Sequence, residues 1–441
     1  MITQIKSIIL VSIYSVILIF NPRIFNILEN DSMGYIRFDD IRTSIYPTII
    51  NILLNIDSNY NILVYFNISL FLFCLYIFLK TLFEEKINYF VILSLYLSLI
   101  LNIYFNGFHF TILTESISFS FCLIFLTYLI KLIKNFDNKY LIYISLTLSF
   151  ILTLRPSSLG FVAVSLVFLF YFSLLNNNKS LIEVIKYLIL PFIIILSVEN
   201  LLYYHKHNQR NSIVSSNHIY GKAIMLDIVS EKLAKNNKLT VNNQNFVEKS
   251  KVHLDQLKAN GEYCLRLERI GDFENYAYFH LKHNNNSGAI KKIILNFNSY
   301  IKLSINHYLN FFCVATPMSS YDNLKVPFIE KDRFGNEYRL NIIHILFLLL
   351  GTIFFCISLY FYIKLLLGVF FNKFRLQVYE IFLTYLITAC HGFMIGISLL
   401  SISSPRQLMF IYPFLIIIIS FFMVKKTKPI LKKFYRNTNF L

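Results

Sequence analysis

Residues 110–130 of this 441-residue chain have the sequence FTILTESISFSFCLIFLTYLI, in which Glu115 is the one charged residue. A mostly apolar run of about 20 residues is long enough to cross the hydrocarbon core of a bilayer as a helix. Similar runs recur along the chain, of which 56% is hydrophobic and 15% charged. One soluble core cannot bury that much apolar sequence. The composition therefore predicts an all-α polytopic membrane protein and excludes most soluble enzymes.

About ten of these runs are predicted to be transmembrane helices, because each is long enough, or nearly so, to span the bilayer. They cover residues 5–20, 61–79, 88–105, 110–130, 140–154, 159–175, 184–203, 341–363, 378–400 and 408–424. The first run ends in Phe20-Asn21-Pro22-Arg23 and lacks the small residues of a cleavage site. It is interpreted as an uncleaved signal anchor.

Lysine and arginine are distributed unequally over the predicted loops. With a cytoplasmic N-terminus, the inner loops and tails carry most of the basic residues, nearly all of them lysine. Apart from residues 205–340, the outer segments carry only arginine, at Arg23, Arg37, Arg42, Arg155 and Arg406. The positive-inside rule then predicts a multi-pass protein of the inner (plasma) membrane with both termini in the cytoplasm.

Two of the predicted outer segments are long. Residues 21–60 form the first outer loop, and its apolar stretch 45–56 is predicted to be an interfacial helix. Residues 205–340, between helices 7 and 8, are predicted to form a mainly helical soluble domain, from the spacing at 245–258, 263–282 and 288–312. The predicted units are an N-terminal membrane module (1–204), the outer loop domain (205–340) and the C-terminal membrane helices with a basic cytoplasmic tail (341–441).

Ionisable residues of both signs lie in or beside the short outer segments. They are Glu29, Asp31, Asp39, Asp40, Arg42, His109, Glu115, Arg155 and Arg406. Charges beside spanning helices are costly and mark functional sites. Because these residues lie near one face rather than at the midplane, they predict a pocket that opens to the outside.

The carboxylates of the first outer loop are candidates for catalysis. A carboxylate held just outside the bilayer can act as a general base on an acceptor hydroxyl or amine, or can bind a hard cation. Asp31 is preferred over Asp39 and Asp40 because it follows closely on the first span. Glu29 with Asp31 is the alternative divalent-metal site, and no other cofactor is indicated. The structural alternative is an ordinary solvated loop.

Glu115, Arg155 and Arg406 are charged residues at the outer ends of three predicted spans. Glu115 needs a partner there, so it either orients a substrate or pairs with Arg155 to hold two helices together. The arginines would hold a phosphate group, since fixed cations stabilise developing negative charge. The alternative for each arginine is a helix end that snorkels to the interface. His109 is interpreted mainly as an interface residue.

Four motifs, taken in order, resemble the GT-C superfamily of membrane glycosyltransferases, in particular the bacterial relatives of protein mannosyltransferases and lipid A aminoarabinose transferases. The acidic motif in the first outer loop of that superfamily is matched here by Glu29-Asn30-Asp31-Ser32 with Tyr35, and by the later Arg42-Thr43-Ser44-Ile45-Tyr46-Pro47. The later motifs are Leu113-Thr114-Glu115-Ser116, Leu154-Arg155-Pro156-Ser157 and Pro405-Arg406-Gln407-Leu408-Met409-Phe410-Ile411-Tyr412-Pro413-Phe414. The similarity covers the membrane part, and the outer loop domain matches no family known to us.

The resemblance implies a GT-C-like fold and an inverting transfer of a sugar from a polyprenyl-phosphate donor to a glycan, lipid or protein acceptor outside the membrane. Asp31 would deprotonate or orient the acceptor, and Glu115 would orient the sugar or the acceptor. Arg155, Arg406 and Arg42 are the candidates for binding the donor phosphate. Asp40, Tyr46 and His109 are the candidates for contacts with substrate.

Two other functions are compatible with the same residues. A polysaccharide polymerase or ligase would also act on lipid-linked glycans, but would concentrate its essential arginines in the large loops. A non-enzymatic flippase or transporter would use Glu115 and Arg155 as a gate. The sequence contains no Gly-rich phosphate loop and no zinc-ligand spacing. The partners expected are therefore membrane lipids and glycans, and not a nucleic acid.

Overall fold

The computed structural model describes residues 2–20, 27–29, 31–39, 42–177, 181–208, 222–223, 226, 241–259, 286–312, 342–371, 378–400 and 405–437. Every regular element within these residues is helical. The α-helices are α1 (Ile2–Phe20), α2 (Ser32–Ile36), α3 (Ile45–Ile56), α4 (Asn61–Glu84), α5 (Tyr89–Leu101), α6 (Ile103–Gly107), α7 (Thr114–Lys134), α8 (Asn138–Leu154), α9 (Leu159–Asn177), α10 (Leu181–Val184), α11 (Leu190–His207), α12 (Val241–Ala259), α13 (Asn286–Leu295), α14 (Phe297–Leu309), α15 (Ile342–Phe371), α16 (Val378–Leu400) and α17 (Pro405–Asn437).

Seven helices in the described part of the chain are long and apolar enough to cross a membrane. They lie in α1, α4, α7, α9, α15, α16 and α17. This confirms the prediction of an all-α, multi-pass membrane protein. The predicted spans at 88–105 and 140–154 correspond to the shorter apolar helices α5 and α8, of 13 and 17 residues. The count of ten spans stays a prediction.

The predicted span at 184–203 is an interrupted helix. A π-helical turn, Ile185–Ile189, separates α10 from α11, and Pro191 follows it in the first turn of α11. Proline has no N–H and its ring clashes with the carbonyl one turn earlier, which explains the wider turn. Ser145 of α8 donates a hydrogen bond to the carbonyl of Leu188, so a backbone oxygen of this turn has a partner inside the protein.

Helix α7 packs against both α4 and α8 and is largely buried. Its 21 residues rise about 30 Å, close to the thickness of a hydrocarbon core. Glu115 lies at its start and Lys134 at its end, where Lys134 forms a salt bridge with Glu85, the residue that directly follows α4. We call these two ends of the bundle the Glu115 end and the Lys134 end.

Helices α9 and α16 make backbone contact through glycine. A Cβ atom on Gly160 would lie 2.0 Å from the carbonyl oxygen of Gly392, and one on Gly396 would lie 3.2 Å from Gly160 Cα. Small residues at a helix–helix contact allow the two backbones to approach this closely. The neighbouring His391 forms hydrogen bonds with the Tyr308 hydroxyl through Nδ1 and with the Ser358 hydroxyl through Nε2.

The described part of the segment 205–340 is helical at α12, α13 and α14, whereas the predicted helical stretch 263–282 lies outside the described residues. Helix α14 lies against α16. Tyr300 of α14 donates to the carbonyl of Leu399 at 3.0 Å, and the buried Lys222 donates to that of Ser398 at 2.8 Å. These contacts attach α14 to the last turn of α16, whose carbonyls have no partner within the helix.

Gly160→Ala should destabilise the fold, because the added methyl group would overlap a backbone carbonyl of α16 that cannot rotate away. Overpacking of this kind costs about 1–3 kcal/mol. Gly396→Ala should cost less, since its nearest contact is longer. The measurement is the intact fraction by size-exclusion chromatography after stepwise heating of detergent-solubilised protein.

The control for this test is Val167→Ala, on the exposed side of α9, where 71% of the side-chain surface is accessible. If Gly160→Ala and Val167→Ala lose their intact fraction at the same temperature, α9 and α16 do not approach each other as closely as described.

Candidate functional site

The first loop places Asp31 and Arg42 together. Asp31 precedes α2 in the N-cap position, but its side chain makes no cap hydrogen bond to the helix. Its Oδ1 instead accepts from Arg42 Nη2 at 2.9 Å. The Asp31 side chain is 38% exposed and that of Arg42 is 20% exposed. The predicted base therefore lies at the rim of the protein with a guanidinium beside it.

Tyr35 and Gly34 of α2 fix the position of this guanidinium. The Arg42 Cζ atom lies 4.5 Å from the centre of the Tyr35 ring, a cation–π geometry. A Cβ atom on Gly34 would lie 3.0 Å from Arg42 Nε, so a side chain at this position would crowd the guanidinium. The ring of Tyr35 also packs edge-on against Tyr46, with centroids 5.1 Å apart.

Helix α3 holds Tyr46 beneath α2. The helix has the predicted limits, Ile45–Ile56, and it contacts α2, α4 and α8. Tyr46 is almost completely buried. Burial, with smaller contributions from Tyr35 and from the charge of Glu115, raises the pKa of Tyr46 well above its ordinary value. Tyr46 therefore stays a neutral phenol that lies within electrostatic range of Glu115.

Glu115 and Arg155 form a buried ion pair between α7 and α8. Glu115 Oε1 lies 3.3 Å from Arg155 Nη1, and the two side chains are 3% and 8% exposed. Glu115 belongs to the first turn of α7, where the helix dipole favours a negative charge. Arg155 directly follows the last residue of α8, because Pro156 disfavours continuation of the helix. Arg155 Cζ also lies 5.9 Å from the ring centre of Phe410 in α17.

His109 is completely buried between α6 and α7. Its Nδ1 lies 2.7 Å from Ser116 Oγ, and its ring lies 4.0 Å from that of Phe71. Burial lowers the pKa of His109 to about 3. The imidazole is therefore neutral and sits in aromatic packing.

The structure thus brings six side chains together between the rim of the first loop and the interior, with contacts from Asp31 to Tyr46 and an electrostatic interaction between Tyr46 and Glu115, which pairs with Arg155. We call this set the polar column: Asp31, Arg42, Tyr35, Tyr46, Glu115 and Arg155. Five of the six were candidates from the sequence as site residues, and Tyr35 was part of the first-loop motif. Arg406 lies in the first turn of α17, one turn before Phe410, and its side chain is outside the described residues. Asp40 also lies outside them.

The described residues do not favour the alternative metal site at Glu29 and Asp31. Asp31 Oδ1 already accepts a hydrogen bond from Arg42 Nη2 at 2.9 Å, so a cation there would compete with the guanidinium. No group of three or more His, Cys, Asp or Glu side chains with metal-binding geometry occurs within the described residues. We therefore derive no step that passes through a metal.

Glu199 of α11 is a residue of the site that was missed from the sequence. Its two carboxylate oxygens accept from the backbone N–H groups of Ser44 and Ile45 at 2.6 and 3.0 Å, and Ser44 Oγ donates to its carbonyl at 2.8 Å. Glu199 therefore caps α3 from another helix, since Ser44 makes no side-chain cap. A single glutamate within an apolar run is the signal that could have revealed it.

Phe38 provides a second attachment of the loop to α11. Its backbone has a φ of 54°, a left-handed conformation that is strained for phenylalanine. Its ring packs edge-on against His207, with centroids 4.8 Å apart. Packing against α11 therefore holds the loop in a conformation that the residue would not adopt by itself.

Comparison of the chain with protein-family models, curated proteins and solved structures found no match.

Glu115→Gln should strongly destabilise the protein, because it leaves the Arg155 charge in a buried site without its carboxylate. Breaking a buried pair costs about 3–5 kcal/mol. Adding Arg155→Gln should recover part of the loss, since no charge then remains buried. Thermal unfolding of the purified single and double variants measures both effects.

The matched control is Glu84→Gln, which removes the carboxylate of the more exposed Lys80–Glu84 pair. Its cost should stay within about 1 kcal/mol. The buried-pair interpretation is wrong if Glu115→Gln and Glu84→Gln lower stability equally.

His109 should make the stability of the protein depend on pH. Its folded pKa of about 3 lies below the ordinary value of 6.5, so the unfolded chain takes up a proton first as the pH falls. The contribution is fully present above pH 6.5 and is lost progressively between 6.5 and 3, with a slope of at most ~1.4 kcal/mol per pH unit. His109→Gln should flatten the dependence of melting temperature on pH in this range. His205→Gln, at an exposed position of α11, should leave it unchanged. Equal slopes for the His109→Gln variant and the wild type would contradict the buried neutral imidazole.

Proposed function

We propose that this protein is a membrane glycosyltransferase of GT-C type, which transfers a sugar from a polyprenyl-phosphate donor to an acceptor at the Glu115 end of the bundle. The polar column is the observation that carries the proposal. It joins a partly exposed carboxylate in the first loop to a buried carboxylate–guanidinium pair. The four motifs that resemble the superfamily supply the reaction class.

Asp31 is the proposed base. The acceptor hydroxyl or amine would lose its proton to the carboxylate as its oxygen or nitrogen attacks the anomeric carbon. The bond from that carbon to the phosphate oxygen breaks, and the lipid phosphate leaves with the electron pair. Arg42 favours the ionised form of the carboxyl, which a base requires. Its contact with Asp31 makes Arg42 a positioning residue for the base as well as a candidate for binding phosphate.

Charge balance indicates which arginines would bind the donor phosphate. Arg42 faces Asp31 and Arg155 faces Glu115, so each of these cations already has a carboxylate beside it. Arg406 adds a positive charge in the first turn of α17, where the helix N-terminus itself favours an anion. Arg155 Cζ lies 5.9 Å from the ring centre of Phe410, which is one turn further along α17. We therefore propose Arg406 as the main ligand of the phosphate and Arg155 as a secondary one, and we place this site on the outer face of the plasma membrane.

Asp31→Asn should lower product formation by about 10²–10⁴-fold, the usual contribution of a general base. The measurement is mass spectrometry of the lipids, glycans and proteins of the cell envelope, from cells that make equal folded amounts of each variant. One glycosylated species should disappear and its polyprenyl-phosphate sugar should accumulate.

The matched control is Asp57→Asn, in the same loop. Asp57 is exposed and accepts a hydrogen bond from Asn59 N at 2.9 Å, outside the polar column. Unchanged product with Asp31→Asn would reject Asp31 as the base and leave Asp40 or a polymerase to be tested. Flux of a lipid-linked glycan that depends on Glu115 and Arg155, with no glycosylated product in any strain, would instead identify a flippase.

A further inference from the structure

A cavity of about 890 Å³ opens on the side of the bundle near the Lys134 end, among α7, α9, α15 and α16. Its lining is mostly aliphatic and aromatic, with Val164, Val167, Phe168 and Tyr171 of α9 along one wall. Lys134 is the one charged residue among the side chains that line it. We call this cavity the lateral groove. It is separate from the polar column, since no residue belongs to both.

The walls of the lateral groove are apolar side chains that the fold leaves uncovered. Val167 and Tyr171 are 71% and 61% exposed, and Ile381 on the opposite wall is 38% exposed. The groove lies within helices that are long enough to span a membrane. In a membrane, lipid would surround the groove, and the apolar surface of the groove fits a hydrocarbon chain.

The Lys134 end carries positive charge beside the groove. Lys134 contacts Glu85, and its side chain is 42% exposed. Lys364 and Lys425 both contact the carboxylate of Glu380, which directly precedes the lining residue Ile381. Helix α17 then continues with five further basic residues, and residues 426–441 contain no acidic one: Lys426, Lys428, Lys432, Lys433 and Arg436. An anionic headgroup therefore complements this end.

We propose that the lateral groove binds an anionic phospholipid, with one acyl chain along α9 and the headgroup phosphate at Lys134. This inference depends on the membrane architecture and not on the proposed sugar transfer. The bound lipid would fill the gap between α9 and α16 on the Lys134 side of their glycine contact.

The absence of tryptophan from the chain makes the site directly measurable. Tyr171→Trp introduces a single tryptophan at the groove by an aromatic-for-aromatic change. Tyr143→Trp is the matched control: Tyr143 is a partly exposed tyrosine of α8 outside the groove lining, at a similar distance from the Lys134 end. Each protein is placed in phosphatidylcholine nanodiscs that contain a minor fraction of brominated phosphatidylglycerol or brominated phosphatidylcholine. Bromine quenches tryptophan fluorescence only at short range.

At position 171 the brominated phosphatidylglycerol should quench more strongly than brominated phosphatidylcholine, and at position 143 the two lipids should quench equally. Lys134→Gln in the Tyr171→Trp protein should reduce this preference about fivefold, the effect expected for one lysine near an anionic surface. Equal quenching by both lipids at position 171 overturns the proposal. A preference that Lys134→Gln does not change overturns the assignment of the phosphate. Displacement of the brominated lipid by a smaller amount of polyprenyl phosphate would show that the groove holds an isoprenoid instead.

Discussion

A charge that is removed from water needs an opposite charge or several hydrogen bonds beside it, and inside a membrane the chain itself has to supply them. Glu115 has a strong need for such a partner, because it is itself buried and lies in the first turn of the most buried of the long helices. Arg155 meets the requirement and thereby sets the relative position of α7 and α8 at the Glu115 end. The buried, uncharged Tyr46 lies between the first loop and this pair, in ring contact with Tyr35 and within electrostatic range of Glu115.

The same requirement explains polar contacts elsewhere in the bundle. Glu380 is buried and is held by two lysines, Lys364 and Lys425, from α15 and α17. Lys222 is buried and donates to a carbonyl at the end of α16. Each of these contacts joins two different elements, and the Lys222 contact joins residues 176 positions apart. In lipid, where apolar surfaces gain little by leaving the solvent, such polar contacts are the ones that select one arrangement of helices.

The sequence predicted those parts of the structure that depend on local chemistry. The limits of α3 follow from an apolar run bounded by polar residues, and the end of α8 follows from Pro156 after Arg155. The pairing of Glu115 with Arg155 was one of two alternatives considered, because a buried carboxylate has few possible partners. Contacts that depend on the three-dimensional arrangement were not predictable in this way. The partner of Arg42, the capping of α3 by Glu199 and the π-helical turn before Pro191 each depend on how separate segments meet.

The capping of α3 by Glu199 has a consequence for divergence among related chains. Its carboxylate binds backbone N–H groups, which every residue except proline provides. Ser44 and Ile45 can therefore change over evolution without loss of these two hydrogen bonds, although the hydroxyl contact from Ser44 would be lost. One acidic side chain in α11 is enough to keep the start of α3 in place while the loop sequence drifts. Two proteins that share this arrangement can thus hold the same loop over the same ion pair and still show little resemblance to each other in the residues that form it.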